Sequence, residues 1–269
     1  MINKMKKFLI LAVLLSIGVL TYSQQAKGKM IPVTTKSKSG LSLYNQAMKY
    51  FNDVHLDKAI DTFYEALNQD EDFFMVNYQL ALYYLLNMDT DNFDVHADAA
   101  INSKAKLSDG EELLRGALVR LKKGSNDIVD VGKKLLEMYP DDPNSYNNMV
   151  SFQSLAGDSE GTVETLNRAI KIVSNPASFY NQLGYAYLNL KENDKAEEAF
   201  DKYIELDPRN PNVYDSKGDY YMSVERYDKA YESYLKAYSM DPSFSYDKSR
   251  MAKQLYEKTT GRKLEIIPL

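Results

Sequence analysis

Residues 177–210 read ASFYNQLGYAYLNLKENDKAEEAFDKYIELDPRN, and residues 211–244 read PNVYDSKGDYYMSVERYDKAYESYLKAYSMDPSF. Aligned, they share Gly184/Gly218, Ala196/Ala230 and Pro208/Pro242 at an interval of 34 residues. Tyr180/Tyr214, Tyr187/Tyr221 and Phe200/Tyr234 keep the same interval. A period of this length marks a repeated supersecondary unit. Tyr180, Leu183, Gly184 and Tyr187 fall at i, i+3, i+4 and i+7, one stripe of an α-helix. Ala196, Phe200, Tyr203 and Ile204 form a similar stripe on a second helix. Small residues at Gly184 and Ala196 let the two backbones approach, while Tyr187 and Phe200 fill the space around them. Pro140, Pro208 and Pro242 mark where second helices stop. Asn210 before Pro211 and Asp142 before Pro143 read as N-caps followed by proline at the first helical position.

The phase extends toward the N-terminus. Residues 143–176 carry Tyr146, Met149, Gly157, Leu166, Ala169 and Ile170 in register. Residues 109–142 keep Gly116, Leu135 and Pro140 but depart most, with Arg115, Ile128 and Gly132 at positions for Leu, Ala and an aromatic. Residues 74–108 hold Leu80, Ala81, Tyr84, Phe93, Ala97 and Ala100 with one extra residue, and 40–73 hold Ala47, Tyr50, Ala59, Phe63 and Ala66. In the best unit, Tyr180, Leu183, Gly184, Tyr187, Ala196, Phe200 and Pro208 stand where the tetratricopeptide repeat family has its aromatic, Leu, Gly, Tyr, Ala, aromatic and Pro. The chain therefore resembles that family; Tyr203 departs, standing at the place of the second Ala. No single hairpin buries both its faces, so neighbours must stack. The expected fold is all-α, a right-handed α-solenoid of about six helix-turn-helix units. The array runs over 41–260, in units 40–73, 74–108, 109–142, 143–176, 177–210 and 211–244, with a capping helix over 245–260. The apolar residues of tail 261–269 are expected to pack along that helix or, as the alternative, to form an exposed docking strand.

Ahead of the array, Lys4, Lys6 and Lys7 precede an uncharged, mainly apolar h-region from Phe8 to Leu20. Thirteen residues fall short of the roughly 20 that span a bilayer. With Thr21 and Ser23 at small-x-small positions, 1–23 reads as a cleaved signal peptide. Export to the periplasm or exterior, with no stable membrane anchor afterwards, is the expectation. Residues 24–40 carry four lysines and no acid, and read as a basic, flexible linker, or as a segment docking in its own acidic groove. The chain's net charge of −5 becomes −8 without the three lysines of 1–23, and −12 without the next four.

Composition excludes much chemistry. No cysteine means no disulfide, thiolate metal site or cysteine nucleophile, and two histidines leave little for a His-rich metal site or a Ser-His-Asp triad. Ser245-Tyr-Asp-Lys248 fits S-x-x-K but opens a helix, where Ser is an ordinary cap. Asp89, Asp91 and Asp94 lack the Gly and the closing Glu of a calcium loop and read as an acidic turn. His96 stands alone on its helix. No cofactor, no metal and no catalysis are expected, and a −12 body disfavours nucleic acid.

The resemblance implies that first helices line a concave, ligand-binding face. The candidate groove residues are Tyr44, Asn45, Met48, Tyr78, Gln79, Asn147, Asn148, Asn181, Gln182, Tyr185, Asp215 and Asp219. The groove is expected to run from aromatic and apolar to polar and acidic. One helix position gives Asn45, Gln79, Leu114, Asn148, Gln182 and Ser216, largely an amide ladder suited to a peptide backbone. Asp215 and Asp219 suggest a partner with Lys or Arg near one end. The expected function is a non-catalytic protein-interaction scaffold binding an extended or helical protein segment; the alternative is an accessory subunit of a cell-envelope enzyme or secretion complex.

Overall fold

The computed structural model describes residues 29–264; the proposed signal peptide, residues 24–28 and residues 265–269 lie outside that range. Thirteen helices and no strand occur among the described residues. They pair as α1 (Lys38–Asn52) with α2 (Leu56–Gln69), α3 (Phe74–Leu86) with α4 (Thr90–Ile101), and α5 (Asp109–Lys122) with α6 (Val129–Met138). The series continues with α7 (Pro143–Ala156) and α8 (Ser159–Ile172), α9 (Ala177–Asn189) and α10 (Asn193–Leu206), and α11 (Pro211–Ser223) and α12 (Tyr227–Met240). The last helix is α13 (Tyr246–Thr260). No described helix is long and apolar enough to cross a membrane.

The two caps ahead of prolines and the close approach at Gly184 are as read. Asp142 and Asn210 accept the amides of Asn144 and Asn212 at 2.9 and 3.0 Å, capping α7 and α11 ahead of their prolines. Ser108 and Glu111 form a reciprocal capping box on α5. Gly184 lies so close to the next helix that an added Cβ would sit 2.6 Å from the Phe200 ring. Departures from the repeat pattern are compensated by neighbours. Where Gly132 replaces an aromatic, Met149 of the following unit fills the space. Tyr203 is buried against Ala177 and Val213, and its hydroxyl accepts from Asn212 at 3.1 Å, tying its unit to the next.

One reading of a single residue is corrected. The Ser245 side chain does not cap α13: its backbone is left-handed (φ 63°), and its hydroxyl donates to Asp215 instead. His96 has no other histidine on its helix, and its ring stacks on Tyr84 of α3 with centroids 5.7 Å apart. Asn77 donates its amide to the Phe73 carbonyl, so its oxygen faces His96 Nδ1 at 3.0 Å. That arrangement assigns the ring proton to Nδ1 and leaves Nε2 to accept from the Tyr64 hydroxyl, also at 3.0 Å. Burial holds the His96 pKa below its ordinary 6.5, because the charged ring is poorly solvated there. Neutral His96 is favoured in the folded chain, so its stability contribution is complete above pH 6.5 and lost as pH falls below it. His96→Phe keeps the stacked ring but cannot titrate. The gap between wild-type and H96F urea midpoints should therefore narrow from pH 8 to pH 5; a constant gap would reject this linkage.

The linker is the largest correction. Residues 38–40 already belong to α1, and Ser37 caps that helix by accepting from the Gly40 amide. Residues 29–36 form a strap, packed rather than flexible, that crosses the start of α7, the start of α5 and the end of α2. Ile31 is buried in the main core cluster, and its amide donates to Asp142 at 2.8 Å. Lysine count and Gly/Ser/Thr content suggested solvation; the ordering donors are backbone N–H groups and threonine hydroxyls, which composition does not locate.

Candidate functional site

The array curves back on itself. The turn after α1 reaches the loop after α12, where His55 and Phe244 meet edge-to-face with centroids 5.4 Å apart. The first two units therefore face the fourth and fifth across an inner cleft of about 340 Å³. Its ends do not run from apolar to polar along one surface, as expected; they oppose each other.

One wall is mainly apolar, with carboxamides among its side chains. The C-terminal half of α1 supplies Met48, Phe51 and Asn52, the following turn Val54, the start of α2 Leu56, and α3 with its C-cap supplies Gln79, Leu82, Tyr83, Leu86 and Asn87. The opposite wall is a cluster of neutral polar groups: Asn144, Asn147, Asn148 and Ser151 from α7, and Ser178, Asn181 and Gln182 from α9. Helical spacing explains the clustering, since positions 144, 147, 148 and 151 form one stripe of α7. Gln182 donates to Asn147 Oδ1 at 3.1 Å, and Asn148 Nδ2 donates back to the Asn144 carbonyl at 2.8 Å. Asn181 Oδ1 is buried with no hydrogen-bond partner. Among the described residues, no charged one lines the cleft.

Of the expected groove residues, the cleft brings together Met48, Gln79, Asn147, Asn148, Asn181 and Gln182. Tyr44 and Tyr78 do not line it. Tyr44 is buried among Phe63 and Phe73, and Tyr78 packs on Phe74 and donates to Asn148 from behind the wall. Burial pushes both phenols well above their ordinary range. Asn45 points to solvent away from the cleft, and Leu114 and Ser216 are buried, so the six-rung amide ladder does not form. What forms is a patch built from adjacent helices.

Tyr185, Asp215 and Asp219 belong to a separate network that the chain satisfies itself. Lys248 of α13 places its ammonium 2.7 Å from Asp215 Oδ2 and 2.9 Å from Asp219 Oδ1. Tyr185 and Tyr234 donate to Asp219 at 2.8 and 2.7 Å. Burial alone would lower the Lys248 pKa, but the two carboxylates outweigh it and hold it above its ordinary value. These acids fasten the capping helix, so they give no reason to expect a basic partner.

Phe51, Leu82 and Ser151 line the cleft as their phase on the first helices implies, whereas Val54, Leu56 and Asn87 sit at helix ends outside any stripe. The Asp89 turn caps α4 by accepting from the Asn92 amide at 3.1 Å, and Asp94 pairs with Lys122 at 3.3 Å. Among the described residues, no group of three or more His, Cys, Asp or Glu could hold a metal ion.

The tetratricopeptide repeat sequence pattern matches residues 177–210 and 211–244. Among solved structures, the crystal structure of MamA is similar at 22% identity and a TM-score of 0.47, covering 58% of this chain and 86% of that one. A thermophilic TPR protein of Thermus thermophilus is similar at 18% identity and a TM-score of 0.47, covering 82% of this chain and 99% of that one. No curated protein matches the chain.

Proposed function

We infer that this chain, a tetratricopeptide repeat protein, is a non-catalytic interaction scaffold that takes an extended, uncharged protein segment into its inner cleft. Apolar side chains of the segment would face Met48, Phe51 and Leu82, and its backbone would face Asn147, Asn181 and Gln182. The observation that carries this reading is a cleft whose described lining combines a mainly apolar wall with a wall of carboxamides and serines, and includes no charged residue. Side-chain amides offer donor and acceptor together, as a peptide backbone requires, and the buried, unpartnered Asn181 Oδ1 would gain a bond if its side chain turned to accept a backbone N–H.

A photoreactive benzoylphenylalanine at Leu86, half-exposed at the edge of the apolar wall, tests it in cells. It should capture a defined protein segment. The Asn181→Ala/Gln182→Ala variant, folded by circular dichroism, should bind that segment about 30-fold more weakly, at roughly 1 kcal/mol per lost hydrogen bond. Equal capture by both chains would reject the cleft as the site. Recovery of the adduct within a large envelope assembly would identify the chain as an accessory subunit. We also propose export through residues 1–23: the mature protein should begin at Gln24 by N-terminal sequencing, and an intact Met1 in envelope fractions would reject cleavage.

A further inference from the structure

Residues 31–36, Ile-Pro-Val-Thr-Thr-Lys, lie across a site formed by the end of α2, the start of α5 and the start of α7. Three carboxylates form it: Asp142 at the start of α7, Glu111 in the first turn of α5, and Asp70 at the end of α2. All three are more than nine-tenths buried. They read the strap chiefly through its backbone. Asp142 Oδ2 accepts the Ile31 amide at 2.8 Å, Glu111 Oε1 the Thr34 amide at 2.8 Å, and Asp70 Oδ2 the Lys36 amide at 3.1 Å. The threonine hydroxyls add bonds of 2.6 Å each, from Thr34 to Glu111 and from Thr35 to Asp70. Ser108 donates to the Pro32 carbonyl at 2.9 Å.

The side chain of Ile31 has its own socket. Gly110 leaves the room for it: an added Cβ there would lie 2.9 Å from both Ile31 Cγ2 and the Tyr139 ring. Glu111 and Asp142 are held independently of the strap, because each also caps its own helix. The strap adds no helix and no hairpin to the array. It is related to the edge as a peptide is to a receptor, by main-chain bonds for affinity and one side-chain socket for register.

We propose that this edge is a second peptide-binding site, separate from the inner cleft, for extended segments with an apolar residue followed three and four positions later by threonines. Residues 31–36 fill it in cis, and a partner bearing such a segment displaces them. Tethering gives the strap an effective concentration of the order of millimolar, so a partner must be tight, abundant or multivalent to compete.

The probe is a fluorescein-labelled peptide of residues 30–38, MIPVTTKSK. Full-length Ile31→Asp/Thr34→Ala chain, folded by circular dichroism, should bind it at least 30-fold more tightly than the wild type, whose site is occupied. Adding Gly110→Val to that variant should abolish binding. In the unaltered chain, the amides of Ile31, Thr34 and Lys36 should exchange at least tenfold faster than core amides of α7, and millimolar peptide should accelerate them further. A folded variant that ignores the peptide would overturn the proposal. So would strap amides that exchange only on global unfolding, or a strap variant that cannot fold, since either makes the strap part of the fold rather than a ligand of it.

Discussion

Replacing Gly218 with valine is expected to cost about 3 kcal/mol and to melt α11–α13 ahead of the rest of the array. A Cβ at 218 would lie 2.4 Å from Tyr234 Cε1 and 2.5 Å from Cδ1. The Tyr234 ring cannot swing aside, because it is 2% exposed and its hydroxyl is tied to Asp219 at 2.7 Å. Valine's branched Cβ also restricts its own rotamer within a helix, so the clash must open the α11–α12 contact. Differential scanning calorimetry reads the loss, and hydrogen exchange should place it in the last unit. Gly116 supplies the contrast: it is exposed, with nothing within 4 Å of an added Cβ. Gly116→Ala should stabilise α5 by about 1 kcal/mol through the ordinary helix preference. Loss at both positions would mean that the glycines serve backbone conformation rather than close approach.

Glu111→Ala is expected to cost about 3–5 kcal/mol, against less than about 0.5 kcal/mol for the neighbouring Glu112→Ala. Glu111 is fully buried and accepts three bonds, from the Thr34 amide at 2.8 Å, the Thr34 hydroxyl at 2.6 Å and the Ser108 amide at 2.8 Å. Alanine leaves those donors facing a hole, undoing the α5 cap and the middle of the strap together. Glu112 is exposed and, among the described residues, its carboxylate pairs with Arg115, one turn along the same helix. Urea midpoints at pH 7 measure both changes, and protection of the Thr34 amide should vanish only in Glu111→Ala. Comparable midpoints for the two variants would show that water serves the strap as well as the carboxylate does.

The contrast between these glutamates marks what a linear reading can see. Ser108 and Glu111 have capping-box spacing, so a local role for Glu111 was legible. Its bonds to Thr34 join residues 77 positions apart, and no periodicity announces them. The same holds for Asp142, legible as a cap but not as the acceptor of the Ile31 amide, 111 positions away. Asp215 and Asp219 looked free because the lysine that satisfies them comes from α13, at Lys248.

By itself, the sequence determined the helix pairs, their phase and the close contacts at Gly184 and Gly218, because these depend on residues within one 34-residue unit and its neighbour. Only the tertiary structure decided which first-helix positions meet. Each unit adds a small rotation to the one before, and the accumulated rotation folds units one and two over four and five. It turns Tyr44 and Tyr78 into core, gathers Met48 and Gln79 opposite Asn147 and Gln182, and closes Asp215 and Asp219 behind Lys248. It also aligns three carboxylates, one from the first unit and two from the ends of the third, under residues 31–36, making a bound strap of a segment whose composition reads as a linker.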